Sequence, residues 1–129
     1  MDAGSFRKHI SERYGIELGD HVFEDKKGIV RVFSKQVMSS GIRGMRGFPA
    51  YDGATTHYFS TMFGHLAKSN AIRMDESDAA LLLDGKEIAA DVPDGEYIGL
   101  LDNKGCCTMM VKNKRARACL PALLKRRKN

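Results

Sequence analysis

Four cations at near-alternate positions, Lys112, Lys114, Arg115 and Arg117, are the side chains of this sequence best suited to meeting a ligand. On a strand, residues two apart share a face, so Arg115 and Arg117 would point together at successive phosphates while Ala116 and Ala118 turn inward. A second run, Lys125, Arg126, Arg127 and Lys128, follows the apolar residues 119–124. From Asn103 onward there are nine Lys or Arg and no Asp or Glu, whereas the first 102 residues hold twelve basic and sixteen acidic side chains. The net charge of +5 is therefore +9 in this segment set against −4 elsewhere. Each cation laid against a phosphate releases condensed counterions, so a polyanion is the partner such asymmetry fits. Two plainer readings stand beside it: a solubilising tail, and an edge strand guarded by charge.

Further candidates lie upstream. Arg43 and Arg46, with Phe48 and Tyr51, sit in the Gly-rich residues 41–56, where guanidinium planes and rings offer stacking surfaces to unpaired bases. The same two rings serve equally to pin the loop to a core. His9, His21, His57 and His65 lack finger spacing with the cysteines, so zinc is not expected and they read as surface or satisfied core groups. Cys107 with His57 and Asp52 remains open as a nucleophile arrangement, because triads assemble in space rather than in sequence. Asp75, Glu76 and Asp78 complement a helix start and need no catalytic role. Seven methionines suggest adaptable packing, with core filling the ordinary reason.

The 129 residues suffice for one domain, or one domain with a small appendage, built around a real core without metal or disulfides. No apolar run approaches the roughly 18 residues needed to cross a bilayer. The amino-terminal residues lack the apolar stretch of a secretory signal, which makes a reducing cytoplasm the expected compartment. Adjacent Cys106 and Cys107 do not readily bond to each other and Cys119 leaves an odd count, so the cysteines read as small buried hydrophobes.

The elements that must position these groups follow from periodicity. Phe6, Ile10 and Tyr14 recur at spacing four, predicting a helix capped by Ser5 or Asp2 and ended by Gly15. A turn over residues 24–28 leads to a strand over 29–33, expected to be buried on both faces apart from Arg31. Ser34 is placed to cap a short helix over 35–40, stopped by Gly41. Residues 41–56 read as a long loop or an irregular strand pair. For 57–67 periodicity is undecided, since Tyr58, Met62 and Leu66 fit a helix while strict alternation also fits a strand. Asp75 caps a second helix with Ala79, Ala80, Leu82 and Leu83 on its stripe and Gly85 at its end. Turns at Pro93-Asp94-Gly95 and Asn103-Lys104-Gly105 then separate strands over 97–101, 106–111 and 116–120. These suit an antiparallel meander in a small barrel rather than parallel βαβ units.

The run Ala80-Leu81-Leu82-Leu83-Asp84-Gly85-Lys86-Glu87-Ile88, then Asp94-Gly95-Glu96-Tyr97-Ile98-Gly99-Leu100, then Lys112-Asn113-Lys114, and Leu120-Pro121 before Leu124-Lys125-Arg126-Arg127, has a recognisable order. It resembles the PUA-like RNA-binding module attached to Sun-type (Fmu-like) RNA cytosine-5 methyltransferases and related archaeal proteins. The resemblance covers residues 72–128, with Arg13-Tyr14-Gly15-Ile16 and residues 28–34 similar to the segment preceding such modules. Residues 41–56 match nothing in it, and Cys106-Cys107 stand after Gly105 where a glycine often follows. The resemblance implies an α+β protein, with a small mixed helix-and-strand unit over 1–70 followed by a PUA-like β-barrel and basic tail over 71–129. It implies a non-catalytic protein that binds structured RNA, tRNA or rRNA, as an accessory to RNA modification or ribosome biogenesis. Methylation is not implied, because no glycine-rich cofactor loop is present and the length leaves no room for a methyltransferase domain. The expected contacts are Lys112, Lys114, Arg115, Arg117, Lys125, Arg126, Arg127, Arg43 and Arg46. No cofactor and no membrane partner are expected, and an RNA methyltransferase in trans is a candidate partner. The alternative is a protein-interaction subunit that recruits a separate RNA-modifying enzyme through a Met-rich apolar surface.

Overall fold

A computed structural model describes residues 1–19, 21–34, 48–101 and 105–120. Helix α1, Ala3–Tyr14, begins where the Asp2 carboxylate accepts the Ser5 backbone N–H at 2.7 Å, so Asp2 and not Ser5 is the cap. It ends at Gly15, whose φ of 69° is the left-handed conformation that closes helices at little steric cost. Phe6, Ile10 and Tyr14 are buried, as the spacing-four pattern requires.

Strands β1, His21–Lys26, and β2, Ile29–Ser34, form a hairpin whose central Lys27 and Gly28 both have positive φ (54° and 81°). That is the type I′ geometry whose twist matches its flanking strands. β3, Phe48–Asp52, pairs antiparallel with β2 past a bulge between Val30 and Arg31. Of the two readings of residues 41–56, the irregular strand fits residues 48–52, which complete the hydrogen bonding of β2 across the bulge. The strand over 29–33 is covered less than expected: Val30 and Val32 are buried, while Ile29, Arg31 and Phe33 on the other face are only half-buried.

Residues 57–67 resolve as helix α2, His57–Phe63, followed by a 3₁₀ turn, Gly64–Leu66. The Thr56 hydroxyl caps α2 by accepting the Phe59 N–H at 3.1 Å. Its buried face is Phe59 and Ser60, and Ser60 Oγ hydrogen-bonds Thr108 Oγ1 at 2.6 Å. Tyr58, Met62 and Leu66, the stripe that suggested a helix, face solvent.

The second sheet joins β4 (Ala71–Arg73), β5 (Ile88–Ala89), β6 (Gly95–Leu100), β7 (Cys106–Lys112) and β8 (Arg115–Ala118) in the order β4-β6-β7-β8-β5. β6, β7 and β8 form the expected antiparallel meander. β4, however, runs parallel to β6, the crossover passing through α3, Glu76–Leu83, which Asp75 caps. The expectation of a meander without a parallel crossover is therefore corrected. The three residues of β4 carry too short a period to register as a strand in the sequence. The sheet curls into half a barrel, and the fold as a whole is mixed α+β.

One face of this sheet is covered throughout, and the other is covered except at the β7–β8 turn end, where Met110, Lys112, Arg115 and Arg117 are exposed. Cys107, Met109 and Val111 of β7, with Tyr97, Ala116 and Ala118, pack on Leu82 of α3 inside the curl. Ile98 and Cys106 join a second core with Phe6, Ile10, Tyr14, Val30, Val32 and Phe59. In that core, Phe59 meets Phe6 edge-on with ring centroids 5.5 Å apart. The helix expected over 35–40 lies outside the described residues. No helix among those described is long and apolar enough to cross a membrane.

Candidate functional site

The basic hairpin β7–β8 turns at Asn113 and Lys114, both at positive φ (53° and 61°), again a type I′ geometry. The Asn113 N–H donates to Asp94 Oδ1 at 2.9 Å, which ties this turn to the one before β6. Alternation along β8 buries Ala116 and Ala118 and exposes Arg115 and Arg117, as strand periodicity predicts. The register sets Arg115 opposite Lys112 and Arg117 opposite Met110. All four side chains are therefore on one exposed face, a square of three cations and a methionine.

Two like charges directly opposite each other disfavour a strand pair. The Lys112–Arg115 juxtaposition thus works against the hairpin alone and in favour of an anion laid over it. A guard for a bare edge is a weaker account, because β5 pairs with β8 at Ala116 and Arg115. Lys114 Nζ lies 3.2 Å from Asp91 and Arg117 Nη2 lies 2.9 Å from Glu87, both pairs being exposed. Exposed pairs of this kind are worth about 1 kcal/mol or less and yield readily to a competing anion.

Beside this face a groove of about 450 Å³ opens between the β3–α2 connection and the hairpin. Asp52, His57 and Tyr58 form one wall, while Met110, Arg117 and Leu120 form the other. Tyr58 is 48 % exposed and Met110 is 43 % exposed, so both offer open surface to this groove. Burial lowers the basicity of His57, whose Nδ1 is enclosed without a hydrogen-bond partner among the described residues.

The nucleophile arrangement is not assembled. Cys107 faces the inner core with no exposed surface, and burial, reinforced by the neighbouring Cys119 and Cys106, pushes its thiol up to about 12. Asp52 and His57 do reach one groove, but Cys107 is on the opposite face of β7. Among the described residues no three His, Cys, Asp or Glu side chains gather as a metal-ligand set. Phe48 and Tyr51 pack on Phe63 and Phe6, with centroids 5.8 and 5.7 Å apart, so they pin β3 to the core rather than stand ready for bases. Arg43, Arg46, Lys125, Arg126 and Arg127 lie outside the described residues.

Sequence reasoning missed Glu96 on β6, a heavily bonded side chain among the described residues. His9 Nε2 lies 3.0 Å from its Oε2, and Tyr14 Oη and Thr55 Oγ1 donate to the same oxygen at 2.5 and 2.7 Å. The Thr55 N–H donates to Oε1 at 2.9 Å. Arg13 adds two bonds to the Glu96 carbonyl, at 2.9 and 2.6 Å, with its guanidinium over the Tyr97 ring. Burial pulls the carboxyl upward, and the bonds from His9, Tyr14 and Thr55 outweigh it, holding the group at about 2. Burial, and then the Glu96 charge, raise the Tyr14 phenol above its ordinary value. A lone charge in the otherwise apolar run of β6 was the only signal in the sequence.

The chain matches no family model, no curated protein and no solved structure. With every carboxylate contact made by α1 and the β3–α2 connection, Glu96 acts as a clamp that fixes the groove wall against β6.

Proposed function

We propose that this protein binds structured RNA, tRNA or rRNA, without catalysing a reaction, as an accessory to RNA modification or ribosome biogenesis. The observation that carries this reading is the cross-strand pairing of Lys112 with Arg115 on the solvent face, next to Arg117. Cations forced together on a rigid hairpin are pre-placed for a phosphate backbone, and most nucleic-acid affinity arises there. The adjoining groove, with an exposed tyrosine beside an arginine, suits an unpaired base, which is how RNA is usually read in sequence-dependent fashion. The motif order that resembles a PUA-like module, over a curled sheet with an antiparallel β6–β7–β8 centre, supports the same reading. The test is fluorescence anisotropy with labelled tRNA and an equal-length DNA duplex at two salt concentrations. The expected result is tighter, salt-sensitive binding to RNA; no binding to either nucleic acid overturns the proposal.

A second reading has its own observation. Tyr58 and Met62 on α2 and Leu66 in the 3₁₀ turn after it lie exposed, at 48, 55 and 40 %. Such a stripe suits a protein partner, for instance an RNA methyltransferase recruited in trans. Binding through it would be nearly insensitive to salt, which separates the two readings.

A further inference from the structure

We infer that the groove beside the cationic hairpin takes a single unstacked guanine of the bound RNA, with Asp52 reading its Watson–Crick edge, Tyr58 offering a ring to its face and Arg117 meeting its phosphate. This rests on the RNA-binding reading and gives that site a base preference.

The volume of about 450 Å³ falls within the range of roughly 300–1,000 Å³ typical of small-ligand sites. The walls divide by chemistry. Met110 and Leu120 supply apolar surface, and Tyr58 supplies a ring left 48 % exposed. The hydroxyls nearby are already engaged: Thr55 Oγ1 donates to Glu96 at 2.7 Å, and Thr56 Oγ1 donates to the Pro49 carbonyl at 2.6 Å while accepting the Phe59 N–H. The exposed charged groups of the lining are the Asp52 carboxylate and the Arg117 guanidinium.

An ionised carboxylate only accepts hydrogen bonds, and its two oxygens take two parallel donors. Guanine alone presents two adjacent donors on its Watson–Crick edge, N1–H and the N2 amine. Adenine and cytosine place a ring-nitrogen acceptor beside their amine, and uracil flanks its single N–H with two carbonyl oxygens. Each of those edges sets a lone pair against the carboxylate. Arg117, opposite Met110 in the register, is held by one exposed bond to Glu87, so its guanidinium can pass to a phosphate by exchanging one anion for another.

The experiment measures anisotropy of short labelled oligouridylates carrying one central guanosine, inosine or adenosine, with the native protein, Asp52→Asn and Tyr58→Leu. Native protein is expected to favour guanosine over adenosine by about tenfold or more, with inosine between them because it keeps N1–H and lacks the amine. Asp52→Asn is expected to abolish that preference, and Tyr58→Leu to weaken all three oligonucleotides, the guanosine one most. Asp52 is exposed and Tyr58 half-exposed, and circular dichroism of each variant checks that the fold is retained. Equal, salt-sensitive affinity for the three oligonucleotides would overturn the guanine site and leave general RNA binding standing. Absence of binding to any of them, and to tRNA, would overturn both.

Discussion

The Tyr14 hydroxyl donates to Glu96 Oε2 at 2.5 Å, joining the last turn of α1 to the start of β6 in the second sheet. The same carboxylate accepts from Thr55 and meets His9, so one buried anion fastens three segments distant in sequence. Removing it leaves several enclosed donors without an acceptor. Glu96→Ala is therefore expected to lower stability by about 3–5 kcal/mol, and Tyr14→Phe by about 1–3 kcal/mol. Urea unfolding followed by circular dichroism measures both, and a loss below about 1 kcal/mol for Glu96→Ala would refute the clamp.

Acid should act through the same group. The Glu96 carboxyl is at about 2 in the fold against an ordinary 4.5, a depressed value, so its stabilisation is complete above pH 4.5 and disappears as pH falls toward 2. The difference corresponds to about 3 kcal/mol. The native protein should lose that much between about pH 5 and pH 2 relative to Glu96→Gln, which has no carboxyl to protonate there. Parallel acid profiles for the two proteins would show that the bonds to Glu96 do not depend on its charge.

On the cationic face, Arg115→Ala combined with Arg117→Ala should weaken tRNA binding and reduce the slope of log affinity against log salt by about 0.7–0.9 for each phosphate no longer neutralised. Both side chains are exposed, so the melting temperature should change by no more than a few degrees. An unchanged salt slope would remove these arginines from the interface.

Glu87→Gln tests the same surface in the opposite direction. It releases Arg117 from its 2.9 Å ion pair and deletes a negative charge beside the phosphate path. RNA affinity should rise by about two- to fivefold at low salt, with the gain fading as salt increases. A decrease would mean that Glu87 positions Arg117 for binding.

Gly64 lies where the 3₁₀ turn meets β7, and a Cβ built there would be 2.7 Å from Cys106 Cβ and 3.2 Å from Ile98 Cγ2. Its φ of −59° is ordinary, so the objection to a side chain is space and not backbone. Gly64→Ala should cost about 1–3 kcal/mol through overpacking, read as a lower urea midpoint. A neutral result would show that the turn can lift away from the sheet.

Much of the local structure was legible in the sequence because it is set by neighbours. Spacing-four apolar residues and an Asp cap specify α1, Asp75 and Gly85 bracket α3, and turn residues separate β6, β7 and β8. Alternation in β8 already placed Arg115 and Arg117 outside and the two alanines within. Tertiary structure alone decided what depends on distant partners. It turned the Tyr58–Met62–Leu66 stripe to solvent, because Phe59 and Ser60 had cores and a threonine to meet. It paired β4 with β6 across an intervening helix, drew Asp52 and Tyr58 up to Arg117 in one groove, and surrounded Glu96 with donors up to 87 positions away. Periodicity encodes which side of an element is apolar, but which surface covers it, and which charge ends beside which, follow from long-range packing that no local pattern contains.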